Sequence, residues 1–529
     1  MGARRTRPRF LLWAALAGLV SGAVFLAAAE LVALLAARSA SPILAVGSFV
    51  IDIVPQPVKE FAIAAFGAAD KIVLLGSLGL AVAIASAIAG ILQYVRPHLG
   101  VAALVLAGVL SGAAIVTRAS AQALSFLPPL AGTIAGSVIL ILLVRRLRAW
   151  RDEVAGTDAA ASASGGEPAE KKGLDRRAFF LTSAIAGASA VIAGVAARAV
   201  SAATSSVDAI RGALRIPEPR SRVTIPEGAE LDVDGISSLY TPNDQFYRVD
   251  TALTVPTIDP ATWRLVVDGM VDRRIELSFD DLIARGLDEY SITLTCVSNE
   301  VGGNLVGSAR WLGVPVRDIL ALAGVQSGAD MVLSRSVDGY TASTPLASLT
   351  DEGTDAILAV AMNGEPLPLE HGFPVRMVVP GLYGYVSATK WLTELKVTTF
   401  AQDEAYWTPR GYDAEAPIKF SSRVDTPKAG APVAAGTVAI GGVAWAQTVG
   451  IDRVEVQIDD GDWQEATLST AVNVDTWVQW FLEWEAEPGT HYVTVRAVNR
   501  DGEVQEQERA PIAPNGSSGW QRTLVTVTG

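Results

Sequence analysis

A single cysteine, Cys296, ends the alternating run Ser291-Ile292-Thr293-Leu294-Thr295 and is followed by Val297-Ser298-Asn299-Glu300-Val301-Gly302-Gly303. A strand end that leads into a loop of small residues aims a side chain into a pocket, and paired glycines let the backbone approach a ligand closely. The chemistry open to such a thiol is ligation of a catalytic metal; on position alone, the commoner role of a lone cysteine is a small buried hydrophobe. One cysteine excludes an intrachain disulfide. Of the three histidines, His98, His371 and His491, only His98 lies near apolar segments, which rules out a haem held by two histidines among them.

The elements that must position Cys296 belong to a modular chain. Its 529 residues exceed what one core organises. Half of them are hydrophobic, and that excess is concentrated before residue 205. The net charge of -13 and the lack of a basic face in the C-terminal portion argue against a nucleic-acid partner. From about residue 221 to 400, short strand-like runs (263–268, 290–296, 331–335, 375–379, 392–400) mix with helical runs at 279–285 and 315–323. Asn363-Gly364, Asp338-Gly339 and Pro380-Gly381 supply turns. The expectation is an α+β domain over 205–415. Past residue 416 the pattern is all β, with strands at 438–446, 451–458, 477–484 and 490–497, and predicts an immunoglobulin-like sandwich over 416–529. Trp477, Trp480, Phe481 and Trp484 read as its core, for the most part, rather than as an interface.

Five stretches, 10–37, 72–94, 99–117, 124–144 and 178–202, are long and apolar enough to span a bilayer. This gives a four-span region over 1–150, a linker at 151–173 and a fifth helix over 174–204. The apolar segment 42–69 is interrupted by Asp52, Pro55, Pro57, Lys59 and Glu60 and reads as interfacial or re-entrant. Arginines and lysines cluster before the first span and between the fourth and fifth, which predicts a cytoplasmic N-terminus and an extracytoplasmic domain after residue 202. The Ala-, Ser- and Gly-rich stretch 152–173 reads as a flexible cytoplasmic loop. Leu174-Asp175-Arg176-Arg177-Ala178-Phe179-Phe180-Leu181 resembles a twin-arginine export signal; the alternative is a positive flank that happens to hold two arginines. Apart from Glu30 the spans carry few ionisable groups, so anchoring is the default role and a quinone-interacting role stays open.

From about Tyr240 onward the chain resembles the sulfite oxidase family of molybdopterin enzymes. The resemblance rests on Tyr240-Thr241-Pro242-Asn243 with Phe246-Tyr247-Arg248, Leu294-Thr295-Cys296 with Asn299, and Ala309-Arg310-Trp311-Leu312-Gly313-Val314. It continues through Met362-Asn363-Gly364-Glu365-Pro366-Leu367-Pro368, His371-Gly372-Phe373-Pro374-Val375-Arg376, Val378-Val379-Pro380-Gly381 and Lys390-Trp391-Leu392. The order and spacing of these pieces, not any one of them, make the match specific. It implies a molybdenum-molybdopterin cofactor with Cys296 as its thiolate ligand, a soft donor suited to a metal already held by the cofactor's sulfurs. The cofactor's phosphate and pterin imply cationic and polar partners. His371 and Arg376 match one binding pair, Thr389 and Lys390 a later loop, Tyr247 and Arg248 an early loop with Asp244 nearby, and Ser336 a weaker middle position. The alternative for Arg376 is a structural ion pair and for His371 a capped turn.

Two departures bear on substrate. Glu300 stands where sulfite oxidases typically carry an arginine, and Val360 stands in the stretch where a tyrosine is expected. A carboxylate at the first position would repel sulfite. With the apolar spans as an anchor, the resemblance implies a membrane-held molybdenum oxidoreductase that transfers an oxygen atom to or from a small substrate, sulfur compounds being one class open to it. No haem-attachment pattern is present, so electrons pass to a separate partner or a quinone; that the C-terminal domain forms a homodimer is an expectation carried by the resemblance alone. The alternative is a non-enzymatic surface module that retains the fold.

Overall fold

The computed structural model describes residues 8–36, 41–54, 70–116, 124–163, 174–203, 206–252 and 254–529. It divides into two compact units, Met1–Ser205 with Ala252–Thr254, and Ser206–Thr251 with Val255–Gly529.

The described part of the first unit is helical: α1 Pro8–Ala36, α2 Pro42–Ile53, α3 Asp70–Val95, α4 Leu99–Val116, α5 Leu127–Ala163 and α6 Leu174–Ala203. Four stretches, Arg9–Leu34, Val73–Val95, Leu99–Val116 and Leu127–Ala155, are long and apolar enough to cross a membrane. They coincide with the first four expected spans. The second half of the expected fifth span lies outside the residues whose side chains are described, as does the stretch 55–69. Small residues let α1 and α3 touch backbone to backbone: a Cβ on Gly18 would lie 2.0 Å from the Ser86 carbonyl oxygen, and one on Gly90 would lie 2.1 Å from that of Ala14. Ser41 Oγ donates to the Glu30 carboxylate at 2.8 Å, so this lone acid of α1 anchors the start of α2. The flexible loop expected from residue 152 is corrected in part. α5 runs on to Ala163, because Ala155, Ala159, Ala160, Ala161 and Ala163 are strong helix formers, and 164–173 lie outside the described residues.

The second unit opens with a short helix, α7 Ser206–Ala213. Ten strands follow: β1 Arg264–Gly269, β2 Ile275–Ser278, β3 Asp288–Thr295, β4 Val306–Pro315, β5 Met331–Ser336, β6 Thr341–Pro345, β7 Ile357–Met362, β8 Glu365–Pro366, β9 Arg376–Val378 and β10 Leu392–Thr398. They form two sheets, ordered β2-β1-β10-β5-β6 and β3-β4-β7-β8, with β9 pairing β7. β1 and β10 run parallel and the other pairs run antiparallel. Alternating apolar residues from both sheets, including Leu265, Val332, Leu358 and Leu395, meet in one core. This is the expected α+β arrangement, with each expected strand displaced by two residues or fewer at its ends. Strand termini converge on one region: Cys296 follows β3, Ser336 ends β5, Arg376 opens β9 and Lys390 precedes β10.

The remaining strands are β11 Ser421–Thr426, β12 Pro432–Ala434, β13 Gly436–Trp445, β14 Ile451–Ile458, β15 Trp463–Glu465, β16 Thr467–Leu468, β17 Val478–Ala486, β18 Gly489–Asn499 and β19 Gln521–Thr528. They pair as β11-β13-β17-β16 and β12-β19-β18-β14-β15. Ile440 and Trp480 from the first sheet pack with Val454, Val495 and Val525 from the second, so the domain is a two-sheet sandwich. Trp480 is fully buried in its core, Trp477 is buried against Leu239 and Val306 of the preceding domain, and Phe481 and Trp484 are half-buried.

Where the sandwich meets the α+β domain, Asp475 is only 7% exposed, and its carboxylate accepts the Thr448 N–H at 3.1 Å. Burial, with the Asp355 charge adding to it, pushes this carboxyl up to about 6 from its ordinary 3.8. A raised carboxyl stabilises the fold fully below the unfolded value, and that contribution is lost as pH rises through the folded value. Asp475→Asn keeps an acceptor for Thr448 without the charge. The variant should match the parent near pH 4 and exceed it at pH 8 by on the order of 2 kcal/mol. Thermal unfolding of the full chain at the two pH values checks this, and equal melting temperatures at pH 8 would remove Asp475 as a source of pH dependence.

Candidate functional site

The Cys296 side chain emerges where β3 gives way to its loop, and it is 8% exposed. The loop folds back on itself: Cys296 N donates to Leu305 O at 2.9 Å, Asn299 N to Cys296 O at 3.0 Å, and Leu305 N to Asn299 Oδ1 at 2.9 Å. Gly302 has φ +80, which a side chain would strain, and a Cβ on Gly303 would lie 2.7 Å from Asn299 Oδ1. The two glycines are thus what allow the turn. Burial pushes the thiol up from its ordinary value, while hydrogen bonding at Ser298 and the Lys390 charge act the other way.

The cysteine lines a cavity open to solvent, together with Tyr247, Ser336, His371, Arg376 and Lys390. Phe246, Tyr340, Trp391 and Trp407 add aromatic faces.

His371 ends a 3-10 turn, Leu369–His371, that follows Pro368 and closes on Gly372 at φ 109. Its Nε2 lies 3.0 Å from the Asn243 carbonyl. A carbonyl only accepts, so Nε2 carries the proton and Nδ1 is left as an acceptor. Burial and the neighbouring Arg376 push the ring down to about 4, and it is neutral at pH 7.

Arg376 is 5% exposed, and its guanidinium lies over the Trp311 ring at 5.1 Å. Its N–H groups donate to the carbonyls of His371 at 3.2 Å, Met377 at 3.3 Å and Ala388 at 3.5 Å. Burial lowers it to about 10, so it stays charged at neutral pH. Among the described residues no carboxylate pairs with it. The structural ion pair that was the other reading of Arg376 is therefore absent.

Lys390 Nζ reaches Asp250 at 2.8 Å and the Glu370 carbonyl at 3.0 Å, and lies 4.6 Å from the centre of the Trp391 ring. Burial pushes it down to about 8, against the opposing pull of Asp250. Trp391 itself sits at φ 53, an uncommon conformation for a bulky residue, fixed by its indole N–H donating to Leu369 O at 2.9 Å. Ser336 is 3% exposed and its hydroxyl has no partner. Tyr247 stacks on Phe246 with ring centres 5.2 Å apart, and burial holds its phenol well above the usual range.

Six of the nine sequence-derived site residues thus meet at one cavity: Cys296, Tyr247, Ser336, His371, Arg376 and Lys390. Three do not line it. Asp244 is exposed, because Gln245 and Phe246 both donate to Pro242 O and the turn carries the acid outward. Its place is taken by Asp250, which sequence reasoning passed over although it lies two residues beyond Arg248. Arg248 itself is 39% exposed and pairs with Asp250 at 2.9 Å, so it acts on Lys390 through that shared carboxylate. Thr389 is fully buried, its hydroxyl 2.7 Å from Ser334 Oγ on β5. Tyr340 was also missed; it follows the Asp338-Gly339 turn and donates to the Tyr385 carbonyl at 2.9 Å.

The two departures that bore on substrate are relocated too. Glu300 is exposed and Val360 is buried in the core, and neither lines the cavity. The closed loop leaves Glu300 exposed and outside the thiol's pocket, so its carboxylate does not set the charge of that pocket's wall.

Chemically, the cavity offers a soft thiol, a buried cation without a counter-ion, a second cation shared with one carboxylate, and an unpartnered hydroxyl. Such a set suits an anion on the cationic side and a soft metal at the sulfur. Among the described residues no group of three or more His, Cys, Asp or Glu side chains could hold a metal ion. A metal bound at Cys296 would need further ligands, and Arg376 and Lys390 are the cations this cavity offers to an anionic group. The side chains fit a phosphate-bearing metal cofactor.

The comparisons with known proteins agree. Residues 252–407 match the family model described as an oxidoreductase molybdopterin binding domain. The chain is 32% identical over 366 residues to the mitochondrial sulfite oxidase of Mus musculus, covering 59% of this chain and 66% of that protein. It is 30% identical over 349 residues to the sulfite oxidase of Gallus gallus, covering 56% of this chain and 75% of that protein. The solved structure of the sulfane dehydrogenase SoxCD from Paracoccus pantotrophus aligns with 57% of this chain and 86% of its own at 22% identity, with a TM-score of 0.49. The match spans just under two thirds of the mouse protein's length. With the thiol, the unpaired guanidinium and the matched domain in one cavity, the chain belongs to the sulfite oxidase type of molybdopterin-dependent oxidoreductases, whose cofactor is molybdenum-molybdopterin.

Proposed function

We propose that this protein is a membrane-anchored oxidoreductase that carries out two-electron oxygen-atom transfer outside the cytoplasm on a small oxygen-accepting or oxygen-donating substrate, sulfur compounds among them. The observation that carries the reading is the buried, counter-ion-free Arg376 guanidinium in the same cavity as the chain's sole thiol. Molybdenum-molybdopterin supplies the two-electron chemistry when bound; the chain supplies binding, orientation and exclusion of water.

In this reading Cys296 is the protein's thiolate to the metal. Arg376 and Lys390 neutralise the cofactor's phosphate, with Asp250 and Arg248 holding the lysine in place. His371, kept neutral, offers Nδ1 as an acceptor to a polar N–H or O–H, and Ser336 offers its unpartnered hydroxyl. Tyr247 remains protonated through the accessible pH range and can donate. Phe246, Tyr340, Trp391 and Trp407 wall the remaining space with aromatic surface, where water is poorly held.

The four long apolar helices support anchoring, and the distribution of Arg and Lys supports a cytoplasmic N-terminus with the cofactor domain on the far side. The Arg176-Arg177 motif supports export after folding, as a cytoplasmically loaded cofactor requires. Arg176 also lies 5.7 Å from the Trp150 ring centre, and Phe179 is fully buried in the helical unit, so the motif contributes to packing as well. The C-terminal sandwich is immunoglobulin-like and suited to homodimer formation. Electrons pass to a separate carrier or to a quinone.

Purified full-length protein expressed with molybdate is expected to contain about one molybdenum and one pterin per chain, one thiolate site allowing one metal. It should turn over at least one of sulfite, methionine sulfoxide, other sulfoxides or N-oxides with a redox dye. Molybdenum-free protein under those conditions would overturn the enzyme reading in favour of a binding module.

A further inference from the structure

β3, which delivers Cys296, is an edge strand of its sheet. Its outward N–H and C=O groups need partners, and an open edge leaves a strand free to shift. The partners come from the C-terminal sandwich. Thr293 N donates to Asp475 O at 2.9 Å, and Trp477 N donates to Thr293 Oγ1 at 2.9 Å. Gln447 Nε2 donates to the carbonyls of both Thr293 and Asp475, joining strand and sandwich loop through one buried amide. Asn473 Nδ2 and Thr476 Oγ1 each donate to Ser291 O at 2.9 Å.

The same domain also holds the loop beyond the cysteine. Ser517 Oγ donates to Asn299 O at 2.6 Å, and Arg423 Nη1 donates to Gly303 O at 3.0 Å. A Cβ on Gly302 would lie 2.9 Å from the Gln521 side chain, so the loop is pressed against β19. The segment carrying the thiol is thus tied to the sandwich on both sides of Cys296. The ties fall on a loop that Gly302 and Gly303 would otherwise leave permissive, and a metal ligand held by a permissive loop loses its geometry.

We propose that the C-terminal sandwich positions the metal ligand, with Gln447 and Ser517 as positioning residues that fix the strand before Cys296 and the loop after it. The proposal rests on Cys296 being the ligand. It assigns the sandwich a part in the cofactor site apart from any role in dimer formation.

Because Cys296 is the chain's sole cysteine, alkylation by iodoacetamide reports on it alone. The test compares the full-length parent with the double variant Gln447→Met, Ser517→Ala and with Val454→Ala, which weakens the sandwich core away from the seam. In cofactor-free protein, well below the melting temperature, the double variant should be alkylated at least roughly fivefold faster, the population change that even one of its three lost hydrogen bonds brings. Val454→Ala should match the parent. In molybdenum-loaded double variant the Mo(V) electron paramagnetic resonance signal should broaden or shift at unchanged metal content. Unchanged alkylation and an unchanged signal would overturn the proposal, and so would equal acceleration by Val454→Ala, which would make the effect one of global stability. Failure of the underlying reading is seen separately: if the loaded parent is alkylated as fast as the cofactor-free parent, Cys296 does not bind the metal.

Discussion

Cys296→Ser is expected to fold, to melt within a few degrees of the parent, and to lose turnover by at least about 100-fold, more than loss of an outer-shell partner typically costs a metal site. The substitution is close to isosteric in a position that is 8% exposed, so packing changes little. The chemistry changes a great deal. A thiol whose pKa burial has raised still ionises once a metal replaces its proton, whereas an alcohol resists this far more strongly and presents a hard oxygen where a soft sulfur is required. Arg376, Lys390 and Ser336 remain, so pterin should still bind while the metal's environment is altered. Pterin content, molybdenum content and turnover with a redox dye, measured on one preparation, separate these effects. Full turnover in Cys296→Ser would end the assignment of this residue as the essential ligand.

The placement of Cys296 at a pocket was legible because its signals were local, an alternating strand, a cysteine at its end and glycines that permit a tight loop, while its reading as a metal ligand came from the family resemblance alone. Arg376 and His371 were legible only through the family resemblance; in the fold a proline-led turn and a strand start place them on one cavity wall. What stayed hidden depended on long-range closure. Asp244 and Asp250 lie on one loop, and only the turn at Pro242 decides which carboxylate faces Lys390. Thr389 adjoins Lys390, yet its hydroxyl turns to Ser334 across the sheet while the lysine side chain reaches the cavity.

Glu300 illustrates the same limit. Its position after a Cys-x-x-Asn pattern suggested a pocket residue, but the hydrogen bonds that close the loop expose it. The two-sheet sandwich was readable from its strand periodicity. Its grip on β3 was not, because polar side chains such as Gln447 and Asn473 carry no periodic signature. The helix through Ala163 was missed because alanine-rich composition was read as linker when its propensity is helical.

Arg376→Met should divide stability from function. Burial lowers the guanidinium from 12.5 to about 10, so below pH 10 the charged form costs the empty fold on the order of 3 kcal/mol relative to the unfolded chain. The sign follows from proton counts: between 10 and 12.5 the unfolded chain binds the proton and the folded one does not, so the penalty fades only as pH rises through that window. Methionine fills similar space over Trp311 without the charge, at the loss of the hydrogen bonds to the His371, Met377 and Ala388 carbonyls, worth about 1 kcal/mol each where geometry is good. Those three contacts are long, at 3.2 to 3.5 Å, so the cofactor-free variant should melt no lower than the cofactor-free parent. Loading should reverse the order. A charge-assisted pair with a phosphate in a site this buried contributes about 2–5 kcal/mol, so the variant should bind cofactor roughly 100-fold more weakly and gain far less melting temperature on loading. Arg376→Lys, which restores charge without the planar fork, should recover part of that affinity. If Arg376→Met retained full pterin and molybdenum content after dialysis, the guanidinium would be a structural cation and the phosphate would have to meet Lys390 alone.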